Sequence, residues 1–314
     1  MSLVVAVLMG GPSAEAAVSR VSAAGVAEAL SEAGHQPTLV ELDTRTNTVL
    51  MDLAPDVVFP ALHGPPGEDG TVQGFLEILG LPYVGSGVHG SATAMDKSLA
   101  KAVFRRAGLP VVDDVLVAPG ADPAAAEREV RERLGDRVVI KPLSQGSAIG
   151  VTLVANGGEL QTGLRKALEF RGGVLVEPYV LGKEITVGVL DLHGTSPREL
   201  PVIEIRTAQD EWYDYTNRYT QGRSDHIIPA SLPAAVNARL QQIAVTAHVS
   251  LQLRDLSRAD FIVTDANDIV LLEVNTLPGM TPTSLFPDAA RAIGLDFPAL
   301  VDALVKSAYT RGTN

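Results

Sequence analysis

The chain has 314 residues, 46% of them hydrophobic and only 4% aromatic, which is enough apolar material for more than one core resting on Val, Leu, Ile and Ala. A net charge of −12 with no long block of Lys or Arg argues against a nucleic-acid binder, which needs a basic face to neutralise phosphates. The absence of cysteine excludes a disulfide scaffold, thiolate catalysis and a Cys-ligated zinc site.

The opening MSLVVAVLMGG has no basic leader, and its apolar run is too short to span a bilayer. It reads as a buried first strand over residues 2–9, in a soluble cytoplasmic chain without membrane association. A helix follows over about 18–30, then strands at 37–42 and 57–62, the opening of a parallel-sheet α/β domain. Ligands of such sheets sit at the carboxyl ends of the strands, here Gly10-Gly11 and His63-Gly64. Helices are expected near 71–79 and 97–107, a loop at 119–123 and a charge-rich helix at 124–134. The pattern then turns to strands at 138–141, 151–154, 174–177, 185–190 and 201–205. Residues 207–224 are polar and too long for a plain turn, as a lid would be. A hairpin of strands 260–264 and 269–274 and a helix after Phe297 close the chain.

The hairpin is the most informative piece. With residues 265–268 as a turn of even closure, Asp260 faces Glu273 and Arg258 faces Asn275, all four on one side. Phe261, Val263, Leu272 and Val274 then face a core. Opposed carboxylates repel, and a hard divalent cation between them, with the Asn275 oxygen, reverses the sign. The alternative is a solvated hairpin with alternating charges. Lys141 heads a small-residue loop, Pro142 to Gly150, that runs into a strand and not a helix, so it is no Walker A motif. It is either a phosphate-covering loop or an ordinary glycine-rich hairpin loop. His63 at a strand end is either a site residue or a structural histidine. Glu15 is read first as a charge complementing a helix N-terminus.

Taken together the chain resembles the D-alanine–D-alanine ligases of the ATP-grasp superfamily, over nearly its whole length. The resemblance is carried by Met9-Gly10-Gly11 with Ser13 and Glu15, Leu62-His63-Gly64, the run Gly67 to Gly74, Met95-Asp96-Lys97, Lys141-Pro142, Gly146-Ser147, Tyr213-Asp214-Tyr215, Arg218-Tyr219 and the run Leu272 to Thr281. It implies an α/β, three-domain ATP-grasp fold: an N-terminal parallel-sheet α/β domain at 1–95, and two α+β domains, central at 96–180 and C-terminal at 181–314, clasping ATP. It implies Lys97, Lys141 and Arg218 on phosphates, Glu177 and Val180 at the adenine, and Glu184 at the ribose. Asp260, Glu273 and Asn275 match the family's ligands for two magnesium ions, for which manganese substitutes. Glu15, Ser147 and Tyr219 would hold the first D-alanine's ammonium and His63 its carboxylate. Arg258 and the Gly279 amide resemble oxyanion donors, and Ser284 and Leu285 would hold the second D-alanine.

The implied reaction is ATP-dependent joining of two D-alanines through an acyl phosphate, for peptidoglycan precursors, by a homodimer. The residue types suit it: fixed donors at a tetrahedral oxyanion contribute ~3 kcal/mol each, and cations neutralise the transferring phosphoryl group. Five positions depart from the family pattern: Arg218 replaces a lysine, Ala16-Ala17 a charged pair, Arg20 an apolar residue and Ala148 a serine. The alternatives are an ATP-grasp ligase for another D-amino or hydroxy acid, and a catalytically silent nucleotide-binding regulator.

Overall fold

A near-continuous apolar run makes β1 (Val4–Met9) a strand buried on both faces, the pattern of a central parallel strand. It lies between β2 (Gln36–Glu41) and β3 (Val57–Pro60), parallel to both. Helix α1 (Ala16–Glu32) buries Ser19, Ser22, Ala23, Val26, Ala29 and Leu30, a stripe at helical spacing. Its small residues admit close approach to the sheet: Ser19 Oγ donates to the Ala61 carbonyl at 2.6 Å and accepts from the Gly10 amide at 2.9 Å. The computed structural model describes residues 1–313 apart from Ser144, Ser147, residues 156–157, Arg171, residues 208–221 and residues 282–283.

Three short helices follow, α2 (Thr46–Leu53), α3 (Thr71–Ile78) and α4 (Val88–Met95), of which the sequence pattern announced only α3. Eight-residue helices carry too few turns for a legible stripe, and α2 buries only Thr46 and Leu50. Asp96 caps α5 (Lys97–Arg106) by accepting from the Ser98 and Leu99 amides, which sets the first turn and with it Lys97. A four-stranded antiparallel sheet comes next, in the order β4 (Val115–Val117), β7 (Val174–Pro178), β5 (Val138–Pro142), β6 (Thr152–Val154). It is packed by α6 (Pro123–Leu134), capped by Asp122, and by α7 (Leu160–Ala167).

The larger antiparallel sheet has six described strands. β11 (Ser224–Ile227), β10 (Ile203–Thr207), β8 (Lys183–Asp191), β12 (Asp255–Val263) and β13 (Ile269–Asn275) are neighbours in that order, with β9 (Arg198–Glu199) beside β8. Helix α8 (Ala234–Ser250) covers it. No sequence expectation anticipated α8, because Asn237, Gln241 and His248 interrupt its apolar stripe; buried His248 bonds instead to Ser257 Oγ at 2.8 Å and Asp191 at 3.2 Å. Helices α9 (Leu285–Arg291) and α10 (Phe297–Arg311) return the chain to the first sheet, where Leu300, Val301, Leu304, Val305 and Ala308 share one core with β1 and β3. Among the described residues no helix is long and apolar enough to cross a membrane.

Asp255 fastens this return. Fully buried and at positive φ, it accepts from the Gly85 amide at 2.8 Å, from Ser307 Oγ at 3.0 Å and from Arg311 at 2.6 and 2.9 Å, while Arg311 also donates to the Tyr83 carbonyl. One carboxylate thus joins the segment between α3 and α4, the start of β12 and the last turn of α10. Arg311→Met should lower unfolding stability by about 3–5 kcal/mol, the cost of leaving one member of a buried pair uncompensated. A urea denaturation midpoint equal to that of the unaltered chain would contradict this.

Candidate active site

A cleft of about 1030 Å³, open mouth included, lies between the two antiparallel sheets. Val139 and Lys141 of β5, Glu177 of β7 and the connecting residues Pro178 to Gly182 form one wall. Ile262, Val270, Leu272 and Glu273 form the other, with Glu184 at the rim. An apolar slot flanked by a few convergent charges is the ordinary form of a nucleotide-sized site.

The hairpin wall has the expected pairs, Asp260 opposite Glu273 and Arg258 opposite Asn275. Its turn does not have the expected even closure. Val263 pairs with Ile269 and Thr264 with Asp268, an odd closure, and a β-bulge between Asp260 and Phe261 restores the register. The extra residue is taken up at Leu272, which therefore leaves the core face and lines the cleft beside Ile262 and Val270. Its expected core place is taken by Leu271, buried with Phe261, Val263 and Val274.

Each carboxylate of the hairpin already has a cation. Asp260 accepts two bonds from Arg258, both 2.8 Å, and further bonds from Thr186 Oγ1 at 2.7 Å and Asn275 Nδ2 at 3.0 Å. Glu273 pairs with Lys97 at 2.9 Å, and Lys97 also donates to the Gln145 carbonyl at 3.1 Å. Lys141 pairs with Glu177, whose second oxygen is held by Lys101. Burial alone would lower the Lys141 ammonium, but Glu177 and, farther off, Glu273 hold it above the ordinary lysine value. Burial likewise works against the Glu177 carboxylate, and Lys141 and Lys101 outweigh it. Lys101 was not singled out from the sequence: a lysine on an amphipathic helix carries no mark that its ammonium is buried.

A smaller cleft of about 370 Å³ shares Lys97, Gln145, Gly146 and Glu273 with the first and reaches Glu68 and Asn275. Around it the N-terminal loops converge. Glu15 stands at the N-cap position of α1, where its charge was first read, but its side chain makes no capping hydrogen bond. Its carboxylate is buried against Gly64 and Gly146: a Cβ on Gly64 would lie 2.8 Å from Glu15 Oε2, and one on Gly146 3.2 Å. His63 is buried, with Nε2 3.1 Å from Ser22 Oγ, and burial and then Arg258 push its pKa down to about 4, so it is neutral at pH 7. Glu68, half-buried as a residue, has an enclosed carboxyl that accepts from the Gly64 amide at 2.6 Å; burial and then Glu15 push its pKa up to about 8.

Gly279 and Ser284 also meet: a Cβ on Gly279 would lie 2.8 Å from Ser284 Oγ, which accepts from the Thr281 amide at 3.0 Å. Ser284 and Leu285 stand at the start of α9. Val180 lines the main cleft. Ser147, Arg218 and Tyr219 lie outside the described residues, as does most of the segment expected as a lid.

Two family models match the chain, the N-terminus of D-ala D-ala ligase over residues 47–86 and its C-terminus over residues 103–306. The D-alanine–D-alanine ligase of Moorella thermoacetica is 47% identical over 305 residues, covering 96% of this chain and 97% of that one. That of Desulforudis audaxviator is 44% identical, covering 98% and 99%. The chain belongs to the D-alanine–D-alanine ligase family. Its fold agrees: the crystal structure of the Bacillus anthracis ligase complexed with ATP superposes with a TM-score of 0.84 at 30% identity, covering 99% of this chain and 98% of that one. The Coxiella burnetii ligase superposes at 0.82 and 29% identity, covering 99% and 96%. Against the family pattern, Arg20 finds a local reason, since it pairs with Glu41 on the edge of the first sheet.

The two perturbed groups give opposite pH signatures. His63, depressed from 6.5 to about 4, takes up its proton more readily when unfolded, so stability falls as pH drops from about 6.5 toward 4. Glu68, raised from 4.5 to about 8, holds its proton in the folded state, so stability falls as pH rises from about 4.5 through 8. Glu68→Gln should remove the second loss. Melting temperatures of this variant and the unaltered chain should diverge steadily from pH 5 to pH 8, with the variant the more stable; parallel curves would show the carboxyl is not perturbed.

Proposed function

We propose that this chain joins two D-alanine molecules into D-alanyl-D-alanine, using ATP and forming an acyl phosphate on the way, in the synthesis of peptidoglycan precursors. The observation that carries this reading is convergence. Lys97, paired with Glu273 of the hairpin, and Lys141, paired with Glu177, line a nucleotide-sized cleft that shares Lys97, Gly146 and Glu273 with a smaller one, and Glu15 lies against that Gly146.

The residues take their roles from this arrangement. ATP would lie with its adenine among Val139, Leu272 and Val180, Glu177 at the base and Glu184 at the ribose. Lys97 and Lys141, with Arg218 from the lid, would face the phosphates. Glu15, with Ser147 and Tyr219, would hold the first substrate's ammonium and His63 its carboxylate. An oxygen of that carboxylate attacks the γ-phosphorus and ADP departs. The amine of the second D-alanine, whose carboxylate Ser284 and Leu285 would hold at the start of α9, then attacks the carbonyl carbon, and phosphate departs as the amine loses its proton. Arg258 and the Gly279 amide would steady the oxyanion between these events. A neutral His63 suits hydrogen bonding more than proton donation.

The hairpin offers two carboxylates and the amide of Asn275, which donates its Nδ2 to Asp260 and would turn over to offer its oxygen; with that turn the set is all hard oxygen and would fit magnesium or manganese held by Asp260, Glu273 and Asn275. When bound there, one or two such ions supply charge neutralisation for the transferring phosphoryl group. Arg258 and Lys97 would be released from these carboxylates as the ions arrive, freeing both cations for the reacting groups. The division at 1–95, 96–180 and 181–314, the homodimer and the cytoplasmic setting are part of the same proposal, as is the absence of nucleic-acid and membrane partners. The C-terminal helix α10 crosses that division by packing on the first sheet.

ADP release measured against a panel of D- and L-amino acids tests the reading. Release with D-alanine, accompanied by dipeptide, is expected; release with another D-amino acid or a hydroxy acid alone would replace the substrate. Glu273→Gln should keep the fold, because the amide fills the same space as a carboxylate whose side chain is 28% exposed, and Lys97 keeps its bond to the Gln145 carbonyl. It should nevertheless cut turnover by about 100-fold or more through loss of a metal ligand. Near-normal turnover in this variant would remove Glu273 from the metal site.

A further inference from the structure

We propose that Lys101 is a positioning residue for the nucleotide phosphates: by taking one oxygen of Glu177, it keeps that carboxylate from capturing Lys141 wholly. The inference rests on the reading of the main cleft as the ATP site. Lys101 is buried and does not line the cleft, yet its ammonium is fixed between two acids, Glu177 and, at 3.1 Å, Asp114. Asp114 is in turn held by Arg105. The chain of charges therefore runs Arg105, Asp114, Lys101, Glu177, Lys141, from the surface to the cleft.

A buried lysine is costly unless its partners are fixed, so its place here calls for a use. Glu177 is itself buried and must be neutralised. Were Lys141 its only cation, the ammonium would be drawn fully onto the carboxylate and its field at the cleft reduced. Lys101 shares that load. It also lies one turn beyond Lys97 on α5, so the same contact pins the helix that presents the second cleft lysine. One buried ammonium thereby sets the aim of both cations.

Isothermal titration of the full chain with ADP and with adenosine, without added metal, reads this directly. In Lys101→Met, ADP should bind about tenfold more weakly or worse, the scale on which loss of an outer partner is felt, with adenosine much less affected. A merely structural lysine would weaken both ligands alike or lower only the melting temperature, and that result overturns the proposal. Asp114→Asn provides a second arm should Lys101→Met fail to fold. It lets Lys101 turn entirely to Glu177 and should tighten ADP about twofold with adenosine unchanged; unchanged or weaker ADP binding also overturns it. If the unaltered chain binds neither ligand, the reading of the cleft fails, and not the role of Lys101 alone.

Discussion

Asp260 and Glu273 face each other across β12 and β13, and much of the site is arranged around keeping two carboxylates in register. Arg258 and Lys97 neutralise one each. These cations come from different parts of the chain, Arg258 from the same strand as Asp260 and Lys97 from the capped first turn of α5. A hairpin that would repel itself in isolation is thus held by residues that the proposed reaction also needs.

The cleft illustrates how an acidic chain can offer a site to an anion. With a net charge of −12, long-range attraction works against a polyphosphate, so local placement must prevail. Lys97, Lys101 and Lys141 are all largely withdrawn from solvent, with side-chain exposures of 12%, 2% and 15%, where screening by salt is weak. Glu177 lets two of them sit close together without bare repulsion.

The first sheet contributes loops more than walls. Gly10 has positive φ, and a Cβ there would run into the Glu41 side chain. Gly64 is likewise at positive φ and has room for no side chain beside Glu15. The Gly64 approach brings Glu15 and Glu68 together beside the smaller cleft, while Asp255 ties the segment after α3, and α10 the first sheet, to the large sheet. The position of the first sheet and its loops relative to the hairpin therefore depends on contacts made by the last helix of the chain.

Local order carried the first strands and helices α5 and α6, because apolar runs and helical spacing act over a few neighbours and are written in the chain, whereas the expected pairing of Asp260 with Glu273 holds only because an odd turn and a bulge offset each other. The motif strings around Glu15, His63 and Glu273 were enough to place the family. Other features depended on distant partners. The bulge that moves Leu272 into the cleft answers to packing of Leu271 against α5 and α8, and parity along one strand cannot foresee it. Glu15 is the helix-end charge that the sequence suggested, but the closing of Gly64 and Gly146 on its carboxylate is decided only by the tertiary fold. Helix α8 is specified by the sheet it covers more than by its own weak stripe. Lys101 reads in the sequence as one more surface lysine, since burial of a charge is decided only when its counter-charges arrive, Asp114 from the residue before β4 and Glu177 from β7 far along the chain.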